Sequence, residues 1–297
     1  MIGRREFITL LGGPVAWPVA ARAQPSATPV IGFLNSASRE GFVRLLEAFQ
    51  QGLSETGYHE GKNVLVQYRW AEGDYNRLPA LAADLVDLRV RIIVATGSVP
   101  SALAAKAATE TIPIVFVASD PLRVGLVTSL SRPTGNVTGI SPLGYDLSAK
   151  KLEIAAELVP SASKIGVLMN PNAPNAARQS EDIQAAAQTL GRQIFVAEAS
   201  RAVDFEAAFQ TLVQRHIRVL VVPGDPLFNS GSRELVSLAA RYTIPAVYER
   251  FVATVGGLIS YGPNLAASYQ LAGNYAGRIL AGAKPGDLPV QQGTRLS

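Results

Sequence analysis

An α/β protein with two similar Rossmann-like lobes, each built on a parallel sheet and joined by a multi-crossing hinge, is the fold this sequence predicts. Three observations predict it. Apolar runs of strand length alternate with helical segments, the alternation occurs twice with the same local motifs, and the chain then continues into one more helix. Strands alternating with helices of ~10–15 residues imply βαβ units, and strands buried on both faces read as continuous runs of Ile, Val and Leu.

The first array has apolar runs at 30–34, 64–70, 91–95 and 112–118; the second has them at 165–169, 193–197, 219–222 and 246–248. Between the first two runs, Phe42, Leu45, Leu46, Phe49 and Leu53 recur at helical spacing and form one apolar face, with Gly57 placed to end the helix. The two arrays echo each other. Ile31-Gly32-Phe33-Leu34-Asn35 is answered by Ile165-Gly166-Val167-Leu168 and Asn170, and Arg91-Ile92-Ile93-Val94 with Thr111-Ile112-Pro113 by Arg218-Val219-Leu220-Val221 with Thr243-Ile244-Pro245. Past the second array, GGLISYG at 256–262 leads into a helix over 265–281. If that helix packs on the first lobe, the chain crosses between lobes at least twice. The expected division is 29–141 plus 262–297 for one lobe and 142–261 for the other, in keeping with two domains for 297 residues.

Ahead of the arrays, MIGRREFITLLGGPVAWPVAARAQ has a basic head, a short apolar run broken by Gly12, Gly13, Pro14 and Pro18, and small residues around Arg22. A spanning helix needs ~20 apolar residues, and the prolines oppose it, so residues 1–23 read as a cleaved leader and not as an anchor. The Arg4-Arg5 pair followed by Glu-Phe-Ile resembles a twin-arginine export signal, with Gly3 where serine is commoner. The expected location is the periplasm, with the mature chain starting near Gln24. Removing Arg4, Arg5, Arg22 and Glu6 takes the net charge from +4 to +2. The remaining charges are scattered, so no nucleic-acid partner is expected. There is no cysteine, which excludes disulfides, thiolate catalysis and Cys-ligated metal.

In open α/β sheets ligands bind beyond the carboxyl ends of the strands, and two facing lobes would set both sets of ends around one cleft. Those ends carry Asn35 and Ser36; Thr96, Gly97 and Ser98; Ser119 and Asp120; Asn170 and Asn172; and Asp225. Small hydrogen-bonding side chains next to helix N-termini suit a polar small molecule or its carboxylate, although each is also an ordinary cap or turn former. Asp120 and Asp225, each followed by proline, are related acids from the two lobes, able to hold an ammonium or hydroxyl groups. They also permit a periplasmic hydrolase, since glycoside hydrolysis uses two carboxylates ~5–10 Å apart. Tyr248, and Tyr261 near the crossing, are candidates for stacking on a planar ligand or for packing between lobes. No phosphate loop, dinucleotide fingerprint, nucleophile elbow or His-x-x-x-His pattern occurs.

Together, VIGFLNS at 30–36, ATG at 95–97, the stretch from SDP at 119–121 to RPTGNVTG at 132–139, and GGLISYGPN at 256–264 resemble the substrate-binding proteins of an ABC importer type associated with tryptophan or tyrosine uptake. The resemblance covers residues 29–290 and implies a type 1 periplasmic-binding-protein fold, no catalysis and no cofactor. It implies a monomer that captures a small ligand and delivers it to a permease driven by an ATPase, after passage through the export machinery. Ser36, Ser98, Asp120, Asn170 and Asp225 are the best matches to its cleft. Relatives usually continue past Gln292 through a further strand and helix, whereas this chain stops at Ser297. The same clamp would also serve a ligand-sensing receptor that transports nothing.

Overall fold

The computed structural model describes residues 28–133, 135–142 and 147–293, apart from the side chains of residues 250, 251 and 254. The leader lies outside the described residues. In the first half the chain runs through β1 (Val30–Asn35), α1 (Val43–Ser54), β2 (Leu65–Trp70), α2 (Leu78–Asp87), β3 (Ile92–Thr96), α3 (Val99–Ala108), β4 (Ile114–Val117) and β5 (Val137–Pro142). The second half repeats the pattern with α4 (Ser148–Leu158), β6 (Lys164–Met169), α5 (Ala176–Thr189), β7 (Gln193–Glu198), α6 (Phe205–Gln214), β8 (Leu220–Val221), α7 (Pro226–Ser230), α8 (Ser232–Arg241), β9 (Ala246–Tyr248) and β10 (Ile259–Ser260). The chain then returns through α9 (Leu265–Leu280) and ends in β11 (Gln291–Gly293).

Two sheets result, ordered β11-β5-β4-β3-β1-β2 and β10-β9-β8-β6-β7, with every pairing parallel. Apart from β11, the second order is the first repeated strand for strand. The echo at Gly32 and Gly166 has a packing cause. A Cβ on Gly32 would sit 3.0 Å from both Leu85 methyls, and one on Gly166 would sit 2.9 Å from a Leu212 methyl, so in each half a helix leucine lies directly on the central strand.

Both sheets are covered on both faces, which is why the strands read as unbroken apolar runs. Ile31, Phe33, Ile92 and Val94 face α1 and α9, while Leu34, Ile93, Ala95 and Phe116 face the layer of α2 and α3. In the second half, Leu168, Leu220 and Ala246 join the cluster of α6 and α8, and Val167, Val221 and Val247 that of α4 and α5. The face predicted from Phe42, Leu45, Leu46, Phe49 and Leu53 is buried against Tyr269, Ala272, Tyr275 and Ala276 of α9. The last helix therefore packs on the first sheet, and the chain crosses between sheets after β5 and again after β10.

Strands β5, β10 and β11 are additions to the sequence reading. In β5, TGISP is short of strand-forming side chains, yet all six residues of the strand are buried. Gly139 is required there, because a Cβ would stand 2.3 Å from the Phe116 carbonyl oxygen.

Candidate functional site

The carboxyl ends of the central strands meet at a cavity of about 330 Å³. Its first-half wall includes Tyr75, Gly97, Ser98, Ser119, Asp120 and Arg123; its second-half wall includes Asn175, Arg178, Asp182, Gly224 and Asp225. Val99, Pro100, Leu103, Val117 and Val124 make one part of the lining apolar. The volume is at the lower end of the ~300–1,000 Å³ range of small-molecule sites, and the mix of an apolar surface with a few convergent polar groups is their usual character.

Local sequence explains how each wall is held. Gly97 has φ +86°, and a Cβ there would stand 2.5 Å from Asn35 Oδ1 and 2.8 Å from Ser36 Oγ. Only glycine lets the β3–α3 turn lie over the end of β1. The Asn35 amide donates to Thr96 Oγ1 at 2.9 Å and its carbonyl oxygen accepts from the Ala37 N–H at 2.8 Å, tying the ends of β1 and β3 together. Ser98 caps α3 by position but makes no side-chain cap bond; its hydroxyl lies 3.3 Å from that of Ser101. Ser98 thus leaves the start of α3 without a side-chain cap, and with Pro100 lacking an N–H the Val99 amide is the first donor of a helix N-terminus whose partial positive charge favours an anion.

Asp120 follows β4 in the left-handed region at φ +46°, a conformation that costs a non-glycine residue about 1–2 kcal/mol. Its carboxylate accepts from Arg123 at 3.2 Å and lies 3.8 Å from Arg178, a residue of α5 in the other half. Arg178 also pairs with Asp182, one turn on, at 3.6 Å. Asp120 is 54% exposed, so these pairs are screened and contribute only ~0–1 kcal/mol each. A ligand can displace them.

Asp225 is different. It is buried, and Oδ1 accepts the Leu227 N–H at 2.8 Å, capping α7. The Asn170 amide lies 3.3 Å from Oδ1, and the Tyr75 hydroxyl donates to Oδ2 at 3.3 Å from the other half of the molecule. Burial pushes the Asp225 carboxyl above its ordinary value, against the bonds from Leu227, Asn170 and Tyr75, which favour the charged form. Asn170 in turn accepts the Asn172 N–H at 3.0 Å, closing the turn after β6.

Five of the residues read from the sequence, Gly97, Ser98, Ser119, Asp120 and Asp225, line the cavity. Asn35, Ser36, Thr96 and Asn170 sit one layer beneath it as its support, buried, and Ser36 Oγ has no hydrogen-bond partner among the described residues. Asn172 is exposed and outside the lining. Tyr248 corrects the stacking expectation: it is 2% exposed in the core with α6 and α8, and its hydroxyl meets the Leu235 carbonyl at 3.4 Å. Asp120 and Asp225 do line one cavity, yet each carboxylate is occupied by partners of its own. Tyr75 and Arg178 were missed; Tyr75 follows the end of β2, a cue that would have found it, whereas Arg178 lies within α5 and reaches the wall only through the fold.

Residues 30–296 match the family model described as ABC transporter substrate binding protein. A tyrosine-binding protein of Clostridioides difficile is 32% identical over 255 residues, 85% of this chain and 71% of that protein. A crystal structure of an ABC domain from Streptococcus pneumoniae in complex with L-Trp is 26% identical, with a TM-score of 0.76, covering 90% of this chain and 89% of that one. At 12% identity, a periplasmic binding protein/LacI transcriptional regulator from Alkaliphilus metalliredigens, complexed with D-xylulofuranose, shares the fold with a TM-score of 0.60 over 90% of this chain and 94% of its own. The two-sheet architecture is thus that of the type 1 periplasmic binding proteins.

Proposed function

Starting from the fact that the chain belongs to the ABC transporter substrate-binding protein family, we propose that it is the exported solute receptor of an importer, capturing an aromatic or similar amino acid between its halves and handing it to a permease. The observation that carries this reading is a cavity walled by strand ends of both sheets, bridged by Tyr75 and Asp225. The ligand's carboxylate is assigned to the Val99 N–H that opens α3 and to the Ser98 hydroxyl, its ammonium to Asp120, and its side chain to the surface of Val99, Leu103 and Val124. The names of the relatives, one tyrosine-binding and one bound to L-Trp, support an amino acid of this kind. Capture follows from tighter binding to the closed arrangement, which shifts the population toward closure. No catalytic step is assigned to Asp120 and Asp225.

Titration calorimetry of the mature chain with L-tyrosine and L-tryptophan is expected to give saturable binding of at least one of them, with the twenty amino acids screened by thermal shift alongside. A flat response to all of them would sink the amino-acid reading. The leader is assigned to twin-arginine export with cleavage near Ala23, so the periplasm is the proposed location. Changing Arg4 and Arg5 together to lysine should leave uncleaved precursor in the cytoplasm, read by fractionation and mass spectrometry of the N-terminus. Normal export of that variant would remove the assignment.

A further inference from the structure

Lys151 and Glu249 form an ion pair that the cavity does not use. Lys151 is 2% exposed and Glu249 9%, so both charges are out of water. A buried pair costs several kcal/mol of desolvation per ion and is weak evidence for stability; its better-attested use is to select one arrangement among several. Its place in the fold indicates which arrangement. Lys151 lies in the first turn of α4, the helix entered by the first crossing. Glu249 directly follows β9, whose Tyr248 carbonyl accepts the Tyr261 N–H at 2.9 Å on the second crossing. Glu249 also borders a small void with Pro263 and Leu265, the residues that lead into α9. Gly224 borders the same void; a Cβ on it would stand 2.9 Å from Glu249 Oε1, and Gly224 is also part of the cavity wall.

We infer that the Lys151–Glu249 pair is a positioning device at the second crossing: by fixing the Glu249 side chain between α4, the Pro263–Leu265 segment and Gly224 of the cavity wall, it sets how the halves face before ligand arrives. Both residues belong to the second half, and Glu249 borders Pro263 and Leu265, through which the chain returns to α9 on the first sheet. An apolar replacement fills the space without holding that angle, because dispersion contacts tolerate sliding and a charge-assisted hydrogen bond does not.

The inference rests on the receptor reading, and its test separates the two. The chain has no cysteine, so Lys62→Cys and Val203→Cys, both at exposed positions and one in each half, allow a donor–acceptor pair to report the spacing of the halves in single molecules. In this labelled background Lys151→Met/Glu249→Leu removes both charges at once, which avoids stranding either. The ligand-free distance distribution is expected to broaden, and the affinity for L-tyrosine or L-tryptophan to fall by about tenfold through a smaller fraction of binding-competent molecules. Lys151→Gln/Glu249→Gln, which also removes both charges but keeps a hydrogen bond across the pair, should give a smaller change in the same direction and serves if the first double variant does not fold. An unchanged distribution overturns the inference, whether affinity is kept or lost. Failure of the unsubstituted protein to bind either amino acid would count against the receptor reading alone, since the ligand-free distribution is measured without it.

Discussion

Asp225→Ala is expected to lose capture of the amino acid and to destabilise the fold together. The substitution removes the cap of α7, worth about 1 kcal/mol, and takes from the buried Asn170 amide its Asp225 acceptor, which adds about 1–3 kcal/mol. Urea unfolding should therefore show a loss of about 2–4 kcal/mol, and calorimetry a marked loss of affinity, because the Tyr75 contact joins the two walls of the cavity. Asp225→Asn separates charge from shape. It keeps an acceptor for Leu227 and removes a carboxylate whose burial raises its pKa. The sign follows from linkage: the folded state holds this proton more tightly than the unfolded chain. The group's contribution to stability is complete below the ordinary Asp value of about 4 and is lost as pH rises through the raised folded value. Across that window the asparagine variant should gain stability relative to the unsubstituted protein, and the difference should level off above it. Parallel stability–pH curves for the two would show that Asp225 titrates normally. Retained affinity in the alanine variant would reduce it to a turn residue.

The fold was legible because burial on both faces leaves a simple imprint. Ile31-Gly32 and Ile165-Gly166 repeat because a helix leucine rests on the same glycine in each half, and α1 announces its buried face by spacing alone. Strand β5 escaped notice because its stability comes from pairing with β4 and from cover, not from its own side chains. The two residues of β10 carry no periodicity at all. At the site, strand ends supplied most of the polar residues, but position along the chain does not separate lining from support. Asn35 and Thr96 bond to each other beneath Gly97, while Ser98, one turn later, reaches the cavity. Tyr248 ends its strand as the others do, yet it points into the core, where its ring has more apolar surface to cover than the cleft offers. Arg178 belongs to the wall only because α5 is folded over against Asp120 of the other half, a juxtaposition of tertiary structure that no local pattern encodes.

The second large effect is expected far from the cavity, at Gly273. Where α1 and α9 pack, their backbones are in direct contact: a Cβ on Gly52 would stand 1.8 Å from the Gln270 carbonyl oxygen, and one on Gly273 2.0 Å from that of Phe49. Gly277, one turn on, leaves room for Thr56, whose Oγ1 would be 1.7 Å from an added Cβ. Two effects of Gly273→Ala oppose each other. Helix propensity favours alanine by about 1 kcal/mol, because glycine loses more backbone freedom on folding. Against it, the new methyl meets carbonyl and amide atoms that no rotamer change can move, so the helices must separate, at the upper end of or beyond the ~1–3 kcal/mol typical of overpacking. The clash wins, and a net loss of about 2 kcal/mol in urea unfolding is expected. A variant as stable as the parent, or more so, would mean that propensity decides and that the helices part freely. The consequence reaches function through connectivity. Helix α9 begins directly after the second crossing and lies on the first sheet, so any displacement of α9 is carried to Pro263 and Leu265 beside the Lys151–Glu249 pair. Ligand affinity in Gly273→Ala should fall along with stability, although the substituted residue lies outside the cavity lining.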